Sequence, residues 1–198
     1  RCDCGRPVFF LNSQCLGCRV PLGYEPMLGE LRALQPGSIP DTWQLTGDGA
    51  AERDYRRCGN FHSAAGCNWL VPADDSSPLC IACRLNHTIP NLTRPGFRER
   101  WYRLERSKRR LVYSLMKLGL PLHSKQVDPD HGLAFSFLSN ADAPADSPVM
   151  TGHANGHITI NIDEADPALR ERSRVDMHEK YRALLGHFRH ESGHYYWG

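Results

Sequence analysis

The 198-residue sequence has no apolar run long enough to span a membrane, and its first residues lack the apolar core of a secretory signal. Its net charge is only +2, so the overall charge gives no reason to expect a nucleic-acid or membrane partner. These absences predict a cytoplasmic protein without a membrane partner.

Cysteine is absent after position 83, although the chain contains eight cysteines. Three of their four groups are close pairs, which can reach one metal ion through a tight turn. In a chain without a secretory signal, this spacing favours metal binding over disulfides. The groups are Cys2-x-Cys4, Cys15-x2-Cys18, Cys58-x8-Cys67 and Cys80-x2-Cys83.

The simplest pairing is sequential and predicts two Cys4 zinc sites, although the spacing leaves an interleaved pairing open. Short apolar runs at 8–11 and 68–71 are predicted to be strands, with 36–54 as a linker between the two sites. So little apolar material needs metal for its stability. The cysteine boundary predicts a first domain over 1–88 and a second over 89–198.

A helix is predicted after Pro95, because apolar residues from Phe97 to Leu118 recur at helical spacing. Gly119 and Pro121 are expected to end it. Basic residues surround the apolar positions, and we favour a solvated surface over a nucleic-acid-binding face. They are Arg98, Arg100, Arg103, Arg106, Lys108, Arg109, Arg110 and Lys117.

Two further strands and one long helix are predicted in the second domain. The strands cover 133–138 and 157–162, and the second alternates three isoleucines with polar residues. We expect this second strand to be the sheet edge that pairs with an extended substrate. The helix is predicted to run from Pro167 towards the C-terminus, with Val175, Tyr181, Leu184, Leu185 and Phe188 on its apolar side.

The segment His190-Glu191-Ser192-Gly193-His194 carries the strongest chemical signal. Histidines four residues apart lie on one face of a helix, so both imidazoles can bind one metal ion. The intervening Glu191 can take a proton from a metal-activated water that attacks a carbonyl. The pattern therefore predicts a catalytic zinc site with ligands His190 and His194 and the general base Glu191. The alternative is a pair of histidines hydrogen-bonded within a core.

A third ligand is not evident in the sequence. His187 shares the helix face of His190, but we favour a supporting or core position for it, since such sites take the third ligand from later in the chain. The longer metzincin pattern requires glycine at position 197, where this chain has Trp197.

The chain resembles the bacterial putative zinc-binding metallopeptidase family that begins with a zinc-ribbon domain. The resemblance is carried by residues 2–10, 67–72, 80–86, 152–161, 164–166 and 181–197. It implies an α+β protein. A zinc-ribbon or rubredoxin-like domain with two Cys4 knuckle sites would precede the N-terminal part of a zincin-like domain, made of a helix, short antiparallel strands and the long helix with the two histidines.

The resemblance also implies that family members continue past this helix. We therefore expect the third ligand and much of the substrate cleft to lie outside these residues. The complete protein would bind two structural zinc ions and one catalytic zinc ion and cleave a protein or peptide substrate. The rival hypothesis is a non-catalytic zinc-ribbon module that binds protein or nucleic acid. Redox sensing by the cysteines is a weaker third, because it needs thiols outside a closed metal site.

Overall fold

The computed structural model describes residues 1–47, 53–144, 146–176, 178, 180 and 182–197. The chain divides into two compact units, Arg1–Ile81 and Ala82–Gly198. Among the described residues, no helix combines the length and apolar character needed to cross a membrane.

The first unit is built on a five-stranded antiparallel sheet in which each strand pairs with the next. The strands are β1 (Leu22–Glu25), β2 (Glu30–Pro36), β3 (Trp43–Leu45), β4 (Tyr55–Arg57) and β5 (Leu70–Pro72). In register, Leu22 faces Ala33 and Leu34 faces Leu45. Their side chains belong to two small buried clusters, which matches the low apolar content of this part of the sequence.

Two predictions for the first unit are wrong. Residues 8–11 form no strand, because Phe10 turns inward and packs edge-on to Tyr24 at 4.9 Å and to Trp69 at 6.2 Å between ring centroids. The predicted linker 36–54 contains β3, which pairs with β2 and β4 and thereby joins the sheet. Gly49, one of the residues on which the linker prediction rested, lies outside the described residues.

The second unit contains a four-stranded sheet and three helices. The elements are β6 (Asn86–Thr88), α1 (Phe97–Lys117), β7 (Ala134–Leu138), β8 (Gly152–Ala154), β9 (His157–Asn161), α2 (Pro167–Asp176) and α3 (Leu184–Trp197). The strand order is β6-β7-β9-β8. The predicted strands at 133–138 and 157–162 are therefore present as β7 and β9, with Ile158 and Ile160 fully buried.

The sheet is mixed, which corrects the prediction of antiparallel strands. β7 pairs in parallel with both β6 and β9, and only β8 and β9 are antiparallel. The tight turn at Asn155 and Gly156 folds β8 back along β9 and makes this pair antiparallel. Strands β6 and β8 lie at the two edges and β9 lies between β7 and β8, so the prediction that 157–162 forms the edge is wrong.

Helix α1 begins and ends where the sequence predicts. It stops before Gly119, whose φ of +69° suits glycine. Trp101 packs edge-on to Phe137 of β7, with ring centroids 5.0 Å apart. Leu118 follows the last helical residue and is 70% exposed, so it does not join the apolar stripe.

Two basic residues of α1 are buried, contrary to the prediction of a solvated surface. Lys108 and Arg109 have no exposed surface, and neither has Glu105 on the same helix face. Lys108 Nζ donates to Glu105 Oε1 at 2.6 Å and to the side-chain oxygen of Asn86. Burial raises the pKa of Glu105, and the nearby Lys108 opposes that rise. Arg109 is thus a core residue, unsuited to a test of nucleic-acid binding at the surface.

The predicted long helix after Pro167 is two helices, α2 and α3. His178, between them, has a φ of +54°, which a continuing right-handed helix does not allow. Arg182 follows as non-helical chain and binds the Glu164 carboxylate through Nε at 3.1 Å and Nη2 at 2.5 Å. Val175 is 56% exposed, and Tyr181 lies outside the described residues.

Candidate metal centres and active site

The structure groups the cysteines in the sequential arrangement. Within each group all four sulfur atoms lie within 4.8 Å of one another. In the first group, Cys2 and Cys18 are 3.6 Å apart and Cys4 and Cys15 are 3.7 Å apart between Sγ atoms. These separations are far too long for disulfides. They match the edge of about 3.8 Å of a tetrahedron with zinc–sulfur bonds of about 2.3 Å.

The first cysteine group is partly open to solvent, with Cys4 and Cys18 exposed and Cys2 and Cys15 buried. Backbone amides donate to its sulfur atoms. Those of Cys18 and Gly17 lower the pKa of Cys15 to about 6. In the same group the Cys4 amide lowers the pKa of Cys2, but burial and hydrogen bonds with the other three thiols outweigh it and raise that pKa. A metal ion would therefore have to displace a proton from Cys2, because the thiolate is the form that binds.

The second cysteine group, Cys58, Cys67, Cys80 and Cys83, is buried at all four positions. Cys67 and Cys80 are 3.7 Å apart between Sγ atoms, and the amide of Cys80 donates to the sulfur of Cys58 at 3.4 Å. The chemistry and spacing of both groups suit zinc, since four thiolates make a closed structural site.

The two sides of helix α3, which carries the histidine motif, differ in burial. Phe188 is fully buried, with its ring centroid 5.8 Å from that of Phe135 and 6.1 Å from that of Phe137. Three and four residues later, Glu191 and Ser192 lie on the same inward side and are also buried. His190 and His194 consequently occupy the exposed side.

The ring nitrogens of the two histidines lie close together. Their Nε2 atoms are 3.2 Å apart, with the rings almost perpendicular at 88°. Two nitrogens bound to one tetrahedral zinc at about 2.0–2.1 Å would be about 3.3–3.4 Å apart. Among the described residues, no third histidine, cysteine or acidic side chain completes a three-ligand group with them.

His187 contacts a glutamate instead of the other two histidines. Its Nε2 lies 3.3 Å from Oε2 of Glu164, the carboxylate that also binds Arg182. This contact agrees with the expectation that His187 supports the site or the core instead of serving as a ligand.

A cavity of about 940 Å³ opens beside Glu191 and His194. The C-terminal turn of α3 forms one wall, where the Tyr195 hydroxyl donates to the His131 carbonyl at 2.5 Å and the Tyr196 hydroxyl to the Pro121 carbonyl at 2.6 Å. His153, Ala154 and Asn155 of the β8–β9 hairpin also line the cavity. Strand β8 and the two-histidine helix thus border one open cleft.

His153, which the sequence patterns did not predict as a site residue, lines the same cavity. Its ring is nearly parallel to that of His194, at 10°, with centroids 6.5 Å apart. Burial lowers the pKa of His153, His194 lowers it further, and Glu191 opposes both. The signal that could have found it is the Asn155-Gly156 pair two residues later, because Asn-Gly favours the tight turn of a hairpin.

Comparisons with known proteins agree with this arrangement. Residues 97–198 match a family described as "putative zinc-binding metallo-peptidase", and residues 1–94 match a zinc-ribbon domain. Uncharacterised proteins of Mycobacterium tuberculosis and Mycobacterium bovis are each 43% identical to the chain over 194 residues, which is 98% of this chain and 51% of theirs. The chain therefore spans about half the length of these relatives.

No solved structure gives a significant match to the chain. The family match covers more than half of the sequence and includes the whole two-histidine helix. The chain belongs to the family of putative zinc-binding metallopeptidases and carries an N-terminal zinc-ribbon domain.

Proposed function

We propose that this chain supplies the metal-binding helix and the general base of a zinc-dependent peptidase, in a protein whose two Cys4 groups each hold one structural zinc ion. The observation that carries the proposal is the 3.2 Å separation of the Nε2 atoms of His190 and His194, next to a cavity that Glu191 lines. This part of the second unit is the N-terminal portion of a zincin-like domain.

The catalytic zinc would lower the pKa of a bound water and polarise the substrate carbonyl. With zinc bound, Glu191 would take one proton from this water while the water oxygen bonds to the carbonyl carbon and the carbonyl π electrons move to the carbonyl oxygen. The carbon–nitrogen bond then breaks, and Glu191 passes its proton to the leaving amine. The products are a carboxylic acid and an amine, so the overall reaction consumes one water molecule.

The substrate class is a protein or peptide. Support comes from the edge strand β8, whose residues His153 and Ala154 line the same cavity as Glu191; an edge strand can pair with an extended chain. The third zinc ligand is proposed to come from outside the described residues, since no described side chain completes the site.

The proposal is tested by metal content and by peptidase activity measured together. We expect two zinc ions in this chain, and three in a chain of the relatives' full length, by elemental analysis. Changing Glu191 to Gln in the longer form should reduce kcat by at least about 10²-fold, as expected for loss of a general base, and leave the zinc content at three.

A matched control is Glu171→Gln, which changes an exposed glutamate on α2 that pairs with Arg174. It should leave both quantities unchanged. Unchanged peptidase turnover in Glu191→Gln would refute the mechanism, and an unchanged zinc content in a His190→Ala/His194→Ala variant would refute the metal site.

A further inference from the structure

The imidazole of His153 is held in one protonation form by the turn that follows it. The backbone amide of Gly156 donates to His153 Nε2 at 2.9 Å. An amide N–H can only donate, so Nε2 must offer its lone pair. In the neutral ring the proton is then on Nδ1. Within the described part of the chain, Nδ1 has no hydrogen-bond partner.

This form of the ring does not suit metal binding. A neutral imidazole binds a metal ion through the nitrogen that carries no proton. Here that nitrogen is Nε2, and the Gly156 amide occupies its lone pair. His153 therefore differs from His190 and His194, whose Nε2 atoms face each other. The one donor of this ring form is Nδ1–H, and the His153 side chain lines the cavity.

The turn has little freedom to release the ring. Asn155 and Gly156 both have positive φ, 48° and 76°, as the tight turn of a two-residue hairpin requires. A Cβ built on Gly156 would lie 2.2 Å from the carbonyl oxygen of Gly132 and 3.2 Å from the ring of Tyr195. The amide that fixes His153 is thus packed between a neighbouring loop and helix α3.

The His153 ring lines the same cavity as Glu191 and His194. The His153 and His194 rings are nearly parallel, with centroids 6.5 Å apart, so His153 lies close to the proposed metal-binding helix.

We propose that His153 is a catalytic residue that donates its Nδ1–H to the carbonyl oxygen of a bound peptide and to the oxyanion that replaces it. This inference rests on the proposed peptidase function and adds to it a donor on the edge strand. A donor fixed before the substrate arrives stabilises the developing negative charge without reorganising.

The first test compares three variants of the zinc-loaded protein at the relatives' full length. His153→Ala should lower kcat by about 10²–10³-fold, the usual effect of losing one oxyanion donor, with a much smaller change in KM. His153→Asn places an amide N–H near the position of Nδ1 and should recover at least about tenfold of that loss. His123→Ala, which alters an exposed histidine outside the cavity lining, is the matched control.

The second test does not depend on turnover. A phosphinic peptide, whose tetrahedral phosphorus carries an anionic oxygen, is titrated into the same proteins by calorimetry. We expect His153→Ala to weaken its binding by about 10²-fold, and zinc content to stay the same. A fall in zinc content would instead make His153 a metal ligand and overturn the proposal. A loss of less than about threefold in both kcat and binding would overturn it too.

The third test reads the proton position directly. Nitrogen-15 spectra of the histidine rings at pH 7 should show protonated Nδ1 and unprotonated Nε2 for the ring whose signals disappear in His153→Asn. A ring protonated on Nε2 would overturn the proposal whatever the activity. If the wild-type protein cleaves no peptide but shows the expected ring form and His153-dependent binding of the phosphinic peptide, the peptidase function fails and the donor assignment stands.

Discussion

The two cysteine groups differ in burial, and this difference predicts that their zinc ions leave at different rates. In excess chelator, the first group should lose its zinc in a fast phase and the second in a slow phase, one equivalent each. A chelator can approach the first zinc directly, because Cys4 and Cys18 are exposed, whereas all four sulfur atoms of the second group are buried.

The expected difference in rate follows from the hydrogen bonds that cover the second group. Opening the second group would break three hydrogen bonds, which run from Cys58 N to Trp69 O at 3.0 Å, from Gly59 N to Pro78 O at 2.8 Å and from Cys80 N to Cys58 Sγ at 3.4 Å. At about 1 kcal/mol each, they make local opening cost about 3 kcal/mol, so the slow phase should be roughly 100-fold slower.

The assay follows zinc transfer to a chromophoric chelator by stopped-flow absorbance. Cys18→Ser should remove only the fast phase, and Cys80→Ser only the slow phase. The variant His190→Ala/His194→Ala lacks the candidate catalytic ligands, so both of its phases report the cysteine groups alone. Two equal rates, or loss of the slow phase in Cys18→Ser, would refute the link between burial and release.

Two further predictions concern stability, both measured by urea denaturation of the zinc-loaded protein. Gly156→Ala should lower the free energy of unfolding by at least about 2 kcal/mol, because Gly156 has a positive φ and a Cβ there would clash with Gly132. Gly119→Ala, at φ +69° with open space around it, should lower it by only about 1 kcal/mol. Equal losses of stability in the two variants would contradict the steric argument. Asp166 accepts hydrogen bonds from the amides of Leu169 and Ala168 and binds Arg100, and these contacts hold its pKa below the usual range. Its contribution to folding stability is therefore present above the unfolded-state pKa of about 3.9 and is lost as the pH falls through the lowered folded-state pKa. Asp166→Asn keeps a capping side chain and should weaken this pH dependence. Identical slopes of unfolding free energy against pH in the wild-type and Asp166→Asn proteins would contradict the prediction.

The sequence predicted which cysteines and which two histidines lie together, because these groupings depend on local geometry. His190 and His194 are one helical turn apart wherever the helix lies, and close cysteine pairs reach a common point through a turn. His153 was not predictable in this way. The hairpin that carries it can be predicted from Asn155-Gly156, but the approach of that hairpin to α3 depends on the strand order of the sheet, which is set by long-range contacts.

The basic residues of α1 show a second reason why a prediction from the sequence was wrong. Lys108 and Arg109 look like surface residues by type, yet they lie three and four residues after Glu105, on a helix side that also includes Trp101 and Val112. The apolar residues at the ends of this side were a signal of burial. The partner Asn86 belongs to another element, and helical spacing within α1 gives no information about it.

The hydroxyl groups of Tyr195 and Tyr196 have a consequence for the entropy of metal binding. His194 is followed in α3 by two side chains whose hydroxyl groups donate to the His131 and Pro121 carbonyls. These hydrogen bonds anchor the helix beside the second imidazole before any metal ion binds. A metal ion held there, as proposed, would restrict less conformational freedom, and more of its ligand-bond energy would remain as affinity.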